Sequence, residues 1–497
     1  MKKKPDILLI FTDMQRADTI HALGNPIIKT PNLDRLAHEG TAFVSAYSPS
    51  PVCVPARYCM HYGQYPAQSG LCDNDDMPEH NNQSIADALN NVGYVTKAIG
   101  KCHFTPEKHA LRGFQQRISQ EECTSDSADD DYCKWLADQN LDYDEPHGTR
   151  GEMYYIPQVS LHNENTHPSQ YIGSKSVEFI REQNNSDKPW MLFSSFIHPH
   201  PPLAPPKPWH KLYRGPDMPH PNVPADWKDL LTWVNRHQNR YKYRDHGIDS
   251  NLVRQLIAYY YASISFVDFQ VGRILDALEE SGKLDDTLII FSSDHGEYLG
   301  DFNCFGKRSM HDPSSRIPLI VRYPRRFGAD KVCHSPASLV DILPTIASAA
   351  EADVGGWRLD GIDLKNVAEE SSGRKYVYSQ FSDGARGVYM VVSGAWKYFY
   401  SAGDDREFLF DRAHDPKESV NLAGMLEHKE IKEVLKQNLL SFLSHGRAAG
   451  AVTAAPDGSL EWKKFTPYDF SYLNDPDAEL LFQDHDAYTL KRKGYTC

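Results

Sequence analysis

The apolar positions fall into two kinds of pattern. Residues 7–11 are continuously apolar, as in a strand covered on both faces. Residues 287–293 read as a strand of the same buried kind, and 94–99, 190–197 and 318–323 as further strands, with a shorter strand over 41–44. Helical spacing predicts helices between them. One opens at Thr30-Pro31, carries Leu33, Leu36 and Ala37 on one face, and closes at Gly40. Others run over 55–61, 84–92, 176–183, 251–281 and 341–350. Strands alternating with helices imply a mostly parallel α/β sheet. After about residue 374 the pattern changes to short strands over 389–392, 396–400 and 407–410, separated by Ser393-Gly394 and Gly403-Asp404 turn signals. A helix over 428–443 follows. We therefore expect a larger α/β domain over 1–374 and a smaller C-terminal domain with an antiparallel sheet and tail over 375–497. Residues 118–168 and 201–248 read as insertions over the sheet's ligand edge, and Asp129 to Asp131 as a solvated run.

Composition changes the picture little. At 40% hydrophobic and 24% charged, the chain is globular. The net charge of -14 argues against general nucleic-acid binding. Nine cysteines, an odd number, read as free thiols of a reducing compartment. The apolar run after Met1-Lys2-Lys3-Lys4 is too short for a signal sequence, and no run approaches a membrane span. A cytoplasmic location, with no membrane partner, is the expectation. The aromatic tail (Trp462, Phe465, Tyr468, Phe470, Tyr472) is long enough to cover a subunit interface in a homo-oligomer, or to pack on its own domain.

The candidate chemistry lies at strand ends. Asp13 follows the first strand, Lys101 and His103 the strand over 94–99, His200 the strand over 190–197, and Asp294-His295 the strand over 287–293, with Lys307 one short loop later. Carboxyl ends of strands are where open α/β sheets place ligands. Cys53 stands where a helix begins, since Pro55 suits a first turn, and Arg57 follows within that turn. A lone cysteine there is usually a small buried hydrophobe, so the neighbouring groups decide. Asp13 and Asp294 offer oxygen to a divalent cation, and His295 moves the choice towards manganese or a similar metal. Arg57, Lys101 and Lys307 can neutralise a tetrahedral oxyanion. His103 and His200 can move protons near neutral pH.

The motifs resemble those of type I sulfatases in the alkaline-phosphatase superfamily. Cys53-Val54-Pro55-Ala56-Arg57 is similar to the family's Cys-x-Pro-x-Arg signature. Thr30 to Asp34, Gly100 to His103, Ser293 to Glu297, Gly306-Lys307, Val340 to Thr345, Leu409 to Asp411, Asp415-Pro416 and Asn421-Leu422 are similar to further family blocks. The resemblance implies an alkaline-phosphatase-like fold and hydrolysis of a sulfate monoester (sugar, choline-like or aryl). It implies that a maturation enzyme converts Cys53 to formylglycine, held as a hydrate on one divalent metal, Ca2+ or Mn2+. Asp13, Cys53, Asp294 and His295 would ligate that metal. One hydrate hydroxyl would attack sulfur with Asp294 as base, and His200 and Lys307 would assist the leaving alcohol. His103 would take a proton from the second hydroxyl to release sulfate, while Lys101 and Arg57 hold the sulfate oxygens and the hydrate.

Four departures follow. Met14 stands where a second aspartate is usual, so that Gln15 or water would fill in. His295 stands for a usual Asn, a change similar, like Met14, to choline sulfatase and phosphonate monoester hydrolases. Ala56 replaces a common Ser, and Cys102 a common Trp whose side chain would point away from Lys101 and His103. Asn74 matches a substrate-contacting Asn of the phosphonate hydrolases. A phosphonate monoester or phosphodiester hydrolase is therefore the alternative reading. A non-catalytic metal-binding protein with unconverted Cys53 is a third, disfavoured by the intact polar set.

Overall fold

The computed structural model describes residues 4–122, 130–141, 145–150, 154–242, 249–371 and 373–466. An eight-stranded sheet forms the centre. Its strands are β1 (Asp6–Asp13), β2 (Thr41–Phe43), β3 (Val95–Gly100), β4 (Gln116–Ser119), β5 (Trp190–Pro199), β6 (Thr287–Ser293), β7 (Leu319–Arg322) and β8 (Lys331–Cys333). They lie in the order β4-β3-β5-β1-β6-β7-β2-β8. Only β7 runs against its neighbours; the other pairings are parallel.

β1 sits mid-sheet with every residue buried, and its unbroken apolar run splits by parity between two cores. Ile7, Leu9 and Phe11 face a cluster supplied by α2 (Cys53–Tyr62) and α5 (Ile342–Ala350). Leu8 and Ile10 face a cluster supplied by α1 (Pro31–Glu39), α3 (Pro168–Glu182) and the long α4 (Ser250–Glu280). Alternating side chains of one strand point to opposite faces, so covering both faces with helices turns the whole run apolar. Each such side chain contributes roughly 1.5–3 kcal/mol of transfer free energy.

A four-stranded antiparallel sheet follows: β9 (Val377–Phe381), β10 (Val388–Ser393), β11 (Trp396–Ser401) and β12 (Arg406–Asp411). Val388, Met390, Phe399 and Phe410 pack towards Tyr47, Tyr298 and Met310 of the catalytic body. The other face is covered by α6 (Lys429–Ser444) through Leu435, Leu439, Leu440 and Leu443. An ionic strut joins sheet and body. Lys397 on β11, fully buried, bonds Asp312, the Met310 carbonyl at 3.0 Å and Glu418 at 2.5 Å.

The structure corrects several expectations. The helix expected over 176–183 begins at Pro168, because His167 caps it by accepting from Ser169 N–H and Pro168 stands in its first turn, where a missing N–H costs nothing. The Asp129–Asp131 run is only partly solvated where it is described: Asp131 is exposed, as expected, and Asp130 is not. Asp130 is buried, caps the helix Asp131–Asp138 by accepting from Cys133 N–H, and also accepts from Glu121 N–H. Asp131 accepts from Ser119 N–H at 2.7 Å, and Asp129 lies outside the described residues. Trp462 and Phe465 pack on the small sheet, and Trp462 Nε1 donates to Tyr398 Oη. Tyr468, Phe470 and Tyr472 lie outside the described residues. No helix among the described residues is long and apolar enough to cross a membrane.

Candidate active site

The carboxyl ends of four adjacent strands converge. Asp13 ends β1, Lys101 follows β3, His200 follows β5, and Asp294-His295 follow β6. α2 points its amino end at them with Cys53 as its first residue. Val52, at the cap, has no side-chain oxygen to offer. Asn74 does the capping from a distance, its Oδ1 accepting from Val54 N–H at 3.0 Å.

Arg57, one turn into α2 and fully buried, holds the acids in register. Its Nε donates to Asp294 Oδ2 (3.1 Å) and Nη2 to Asp13 Oδ2 (3.2 Å). Its Nη1 donates to the Lys101 carbonyl (2.7 Å) and Ser195 Oγ (2.9 Å). With these donors committed, Arg57 acts on the carboxylates and on the chain at Lys101. Lys101 Nζ donates to Asp13 Oδ2 at 2.6 Å. Asp294 Oδ1 accepts from Met14 N–H (3.0 Å) and His295 N–H (2.9 Å).

Around the Cys53 sulfur stand Lys307 Nζ at 2.8 Å, His295 Nε2 at 3.4 Å and Asp13 Oδ1 at 3.8 Å. Burial and Asp13 push the thiol up, but Lys101, Lys307 and His295 outweigh them and hold it well below the ordinary thiol range. Burial likewise works against the Asp13 carboxylate, yet Lys101, His200, Lys307 and Arg57 hold it well below its usual range. Asp294 goes the other way, to about 6, because burial and Asp13 outweigh His295 and Arg57. His200 is lowered, chiefly by burial, with Lys307 adding to it. Its Nδ1 donates to the Pro201 carbonyl at 2.7 Å, which leaves the Nε2 lone pair towards Lys307 Nζ at 3.3 Å. His103 has a left-handed backbone (φ 56°), and its Nδ1 is buried without a hydrogen-bond partner among the described residues.

Asp13, Cys53, Asp294 and His295 are all buried, and one ligand atom from each lies within 4.8 Å of the others. His295 Nδ1 donates to the Gly296 carbonyl at 3.0 Å, so Nε2 presents its lone pair to that group. Two carboxylates and an imidazole, with one carboxyl driven up by its neighbour, fit a divalent cation. Met14 turns its sulfur to Lys307 Nζ at 3.7 Å instead of offering a hard ligand. The Gln15 amide is engaged by Thr12 and Thr19. Cys102 lies in the apolar core, its thiol pushed up to about 11 by burial, and Ala56 packs there too.

Three contributors escape sequence reasoning. Glu121 accepts from the Cys102 and His103 N–H groups at 2.9 and 3.1 Å and so holds the loop that carries Lys101 and His103. Glu122 contacts Lys101 Nζ at 2.6 Å. Ser195, inside β5, receives the Arg57 guanidinium. The two glutamates lie in an acidic stretch with no periodicity, and Ser195 in an apolar strand; neither context carries a signal.

Fold and site together define a hydrolytic α/β enzyme with cations arrayed over a buried acid and imidazole set. A family model described as sulfatase matches residues 5–352, and one described as N-sulphoglucosamine sulphohydrolase, C-terminal, matches residues 300–445. An arylsulfatase of Clostridium perfringens is 32% identical over 490 residues, covering 90% of this chain and 96% of that protein. A choline-sulfatase of Rhizobium meliloti is 29% identical, covering 84% of this chain and 82% of that protein. The solved phosphonate monoester hydrolase of Agrobacterium radiobacter superposes with a TM-score of 0.77 at 25% identity, over 93% of this chain and 100% of that one. The chain belongs to the sulfatase family of the alkaline-phosphatase superfamily and is a sulfuric ester hydrolase.

Proposed function

We infer that this enzyme hydrolyses a small organic sulfate monoester to an alcohol and inorganic sulfate, with position 53 as formylglycine and one divalent metal, Ca2+ or Mn2+. The carrying observation is the convergence of Lys307, Lys101, His200 and His103 on Cys53, above the buried Asp13, Asp294 and His295. Formylglycine at position 53 would supply the nucleophilic hydroxyl for attack on sulfur. The metal, held by Asp13, Asp294, His295 and position 53, would supply Lewis-acid charge stabilisation.

The chain's own groups do the rest. Lys101 and Lys307 bring two buried ammonium charges to the sulfate oxygens. His200, with Nδ1–H fixed on Pro201, turns the Nε2 lone pair to Lys307 Nζ and orients that ammonium, which gives a proton to the departing alcohol. Asp294 takes the proton of the attacking group, and its carboxyl pushed to about 6 supports that role. His103 takes the proton that accompanies sulfate release, a role its partnerless buried Nδ1 supports. Arg57 holds the acids, and Asn74, exposed at the rim, caps α2 and meets the substrate.

Met14, Ala56, His295 and the fold shared with a phosphonate monoester hydrolase favour a second reading, hydrolysis of phosphonate monoesters or phosphodiesters. Comparing kcat/KM for an aryl sulfate and an aryl phosphonate monoester on matured protein separates the two. A large preference for the phosphonate sinks the sulfatase reading. Peptide mass spectrometry after co-expression with a formylglycine-generating enzyme tests the maturation partner; a persistent thiol at position 53 speaks against it. We further place the protein in the cytoplasm, without nucleic-acid or membrane partners, and with a homo-oligomer contact through the C-terminal tail.

A further inference from the structure

The acidic stretch after β4 brings a carboxylate to a place where the chemistry above calls for none. Glu122 Oε2 lies 2.6 Å from Lys101 Nζ. Glu122 Oε1 lies 3.1 Å from Arg150 Nη1 and 3.5 Å from His200 Nε2. One Glu122 oxygen, the Cys53 sulfur and a His103 ring nitrogen lie within 4.8 Å of one another. Burial works against this carboxylate, but His200, Lys101, Arg150 and Lys307 outweigh it and keep Glu122 well inside its ionised range.

Charge balance at Lys101 gives no reason for this arrangement. Its ammonium already meets Asp13 Oδ2 at 2.6 Å, so Glu122 is a second carboxylate on one cation. Two of the groups Glu122 has gathered, Lys101 and, through the field, Lys307, are those assigned above to the sulfate oxygens, and the third, His200, serves the departing alcohol. A sulfate ester is itself an anion. Two anions on the same cations, a few ångströms apart in a buried site, repel each other strongly.

We propose that Glu122 is a built-in competitor for the sulfate subsite: its carboxylate rests on the cations that bind the sulfate group and leaves Lys101 whenever substrate or sulfate binds. Arg150 gives it somewhere to go. That guanidinium is on the outer side, 21% exposed and 5.7 Å over the Tyr154 ring, so it can retain Glu122 after Lys101 has exchanged partners. Glu122 thereby sets the affinity for substrate and product alike, and speeds release of sulfate from a site otherwise rich in positive charge. The proposal rests on the sulfatase reading above for the identity of the anion.

The size of the effect follows from occupancy. If Glu122 blocks the subsite nine-tenths of the time, apparent affinity falls about tenfold. The test is Glu122→Gln in matured protein, with calorimetric titration of inorganic sulfate and steady-state kinetics on an aryl sulfate. Sulfate should bind about tenfold tighter and KM fall by a similar factor. Glu122→Asp keeps the charge on a shorter stem and should bind sulfate with an affinity between those of wild type and Glu122→Gln; melting curves check that both variants fold. Unchanged or weaker sulfate binding overturns the proposal. So does a fall in kcat at constant KM, which would make Glu122 a positioning residue for Lys101 and His200. Sulfate binding is read without turnover. An enzyme that hydrolyses no sulfate ester, yet gains sulfate affinity on Glu122→Gln, therefore defeats the sulfatase reading and leaves this proposal standing.

Discussion

Lys307 offers the sharpest test of how the site divides its labour. Its Nζ is 2.8 Å from the Cys53 sulfur and 3.3 Å from His200 Nε2, and the side chain is buried. Gln238 clamps its peptide, accepting from the Lys307 N–H and donating to its carbonyl, so a side-chain substitution leaves the backbone where it is. Lys307→Met keeps length and shape while removing the charge. A unit charge about 4 Å from a developing oxyanion is worth about 4 kcal/mol at an effective dielectric of about 20. Loss of one oxyanion donor is typically worth about 3–4 kcal/mol, or about 100- to 1,000-fold in rate. We expect that full loss in kcat/KM for an alkyl sulfate, whose departing alkoxide needs the charge. For an aryl sulfate, whose phenolate carries its own charge well, the loss should be about tenfold. Stability should hold or rise, because a buried cation without a directly bonded carboxylate gives way to a buried thioether. Sulfate release from both esters, with melting curves alongside, decides the matter. Equal losses for the two esters would refute the leaving-group role and put Lys307 on the sulfate oxygens alone.

Three further outcomes follow from the same geometry. Cys53→Ala should abolish turnover while keeping unfolding free energy within about 1 kcal/mol of wild type; full activity in that variant would end the nucleophile assignment. Metal affinity, read by titration of chelator-treated protein, should be flat above about pH 7 and fall below about pH 6, because the Asp294 carboxyl, raised from 3.8 to about 6, must lose a proton to the metal. In the metal-free protein the sign is that of a raised acid: Asp294's contribution to stability is fully present below 3.8 and is lost as pH rises through about 6. Lys397→Met should destabilise the protein by about 3 kcal/mol in a thermal or denaturant melt, since Glu418 and Asp312 lose the buried cation between them; an unchanged melt would show that the strut carries no net stability.

How far the sequence could be read depends on the range of the interactions involved. The strand ends were legible because a strand buried on both faces is mostly apolar until it leaves the sheet, and a charged or imidazole side chain follows at the exit. That logic located Asp13, Lys101, His200 and Asp294 on β1, β3, β5 and β6, and a proline two residues on located Cys53 at the head of α2. Glu121, Glu122 and Asp130 obey no such rule. They sit in an acidic stretch whose local pattern is that of a solvated face, and only pairing across the chain buries them: Glu121 under the Cys102 and His103 amides, Asp130 under Cys133 and Glu121, Glu122 on Lys101. Asn74 was legible as a position similar to a substrate contact, but not as the cap of a helix that starts twenty-one residues earlier. The same limit applies to charge. A net charge of -14 says nothing of a site in which Arg57, Lys101 and Lys307 face Asp13, Asp294 and Glu122, three charges against three. Those six side chains balance before the Cys53 sulfur is counted. The site becomes a receptor for an anion only when a cation is added at the acids or when Glu122 withdraws, and of those two levers only the first was visible in the motifs.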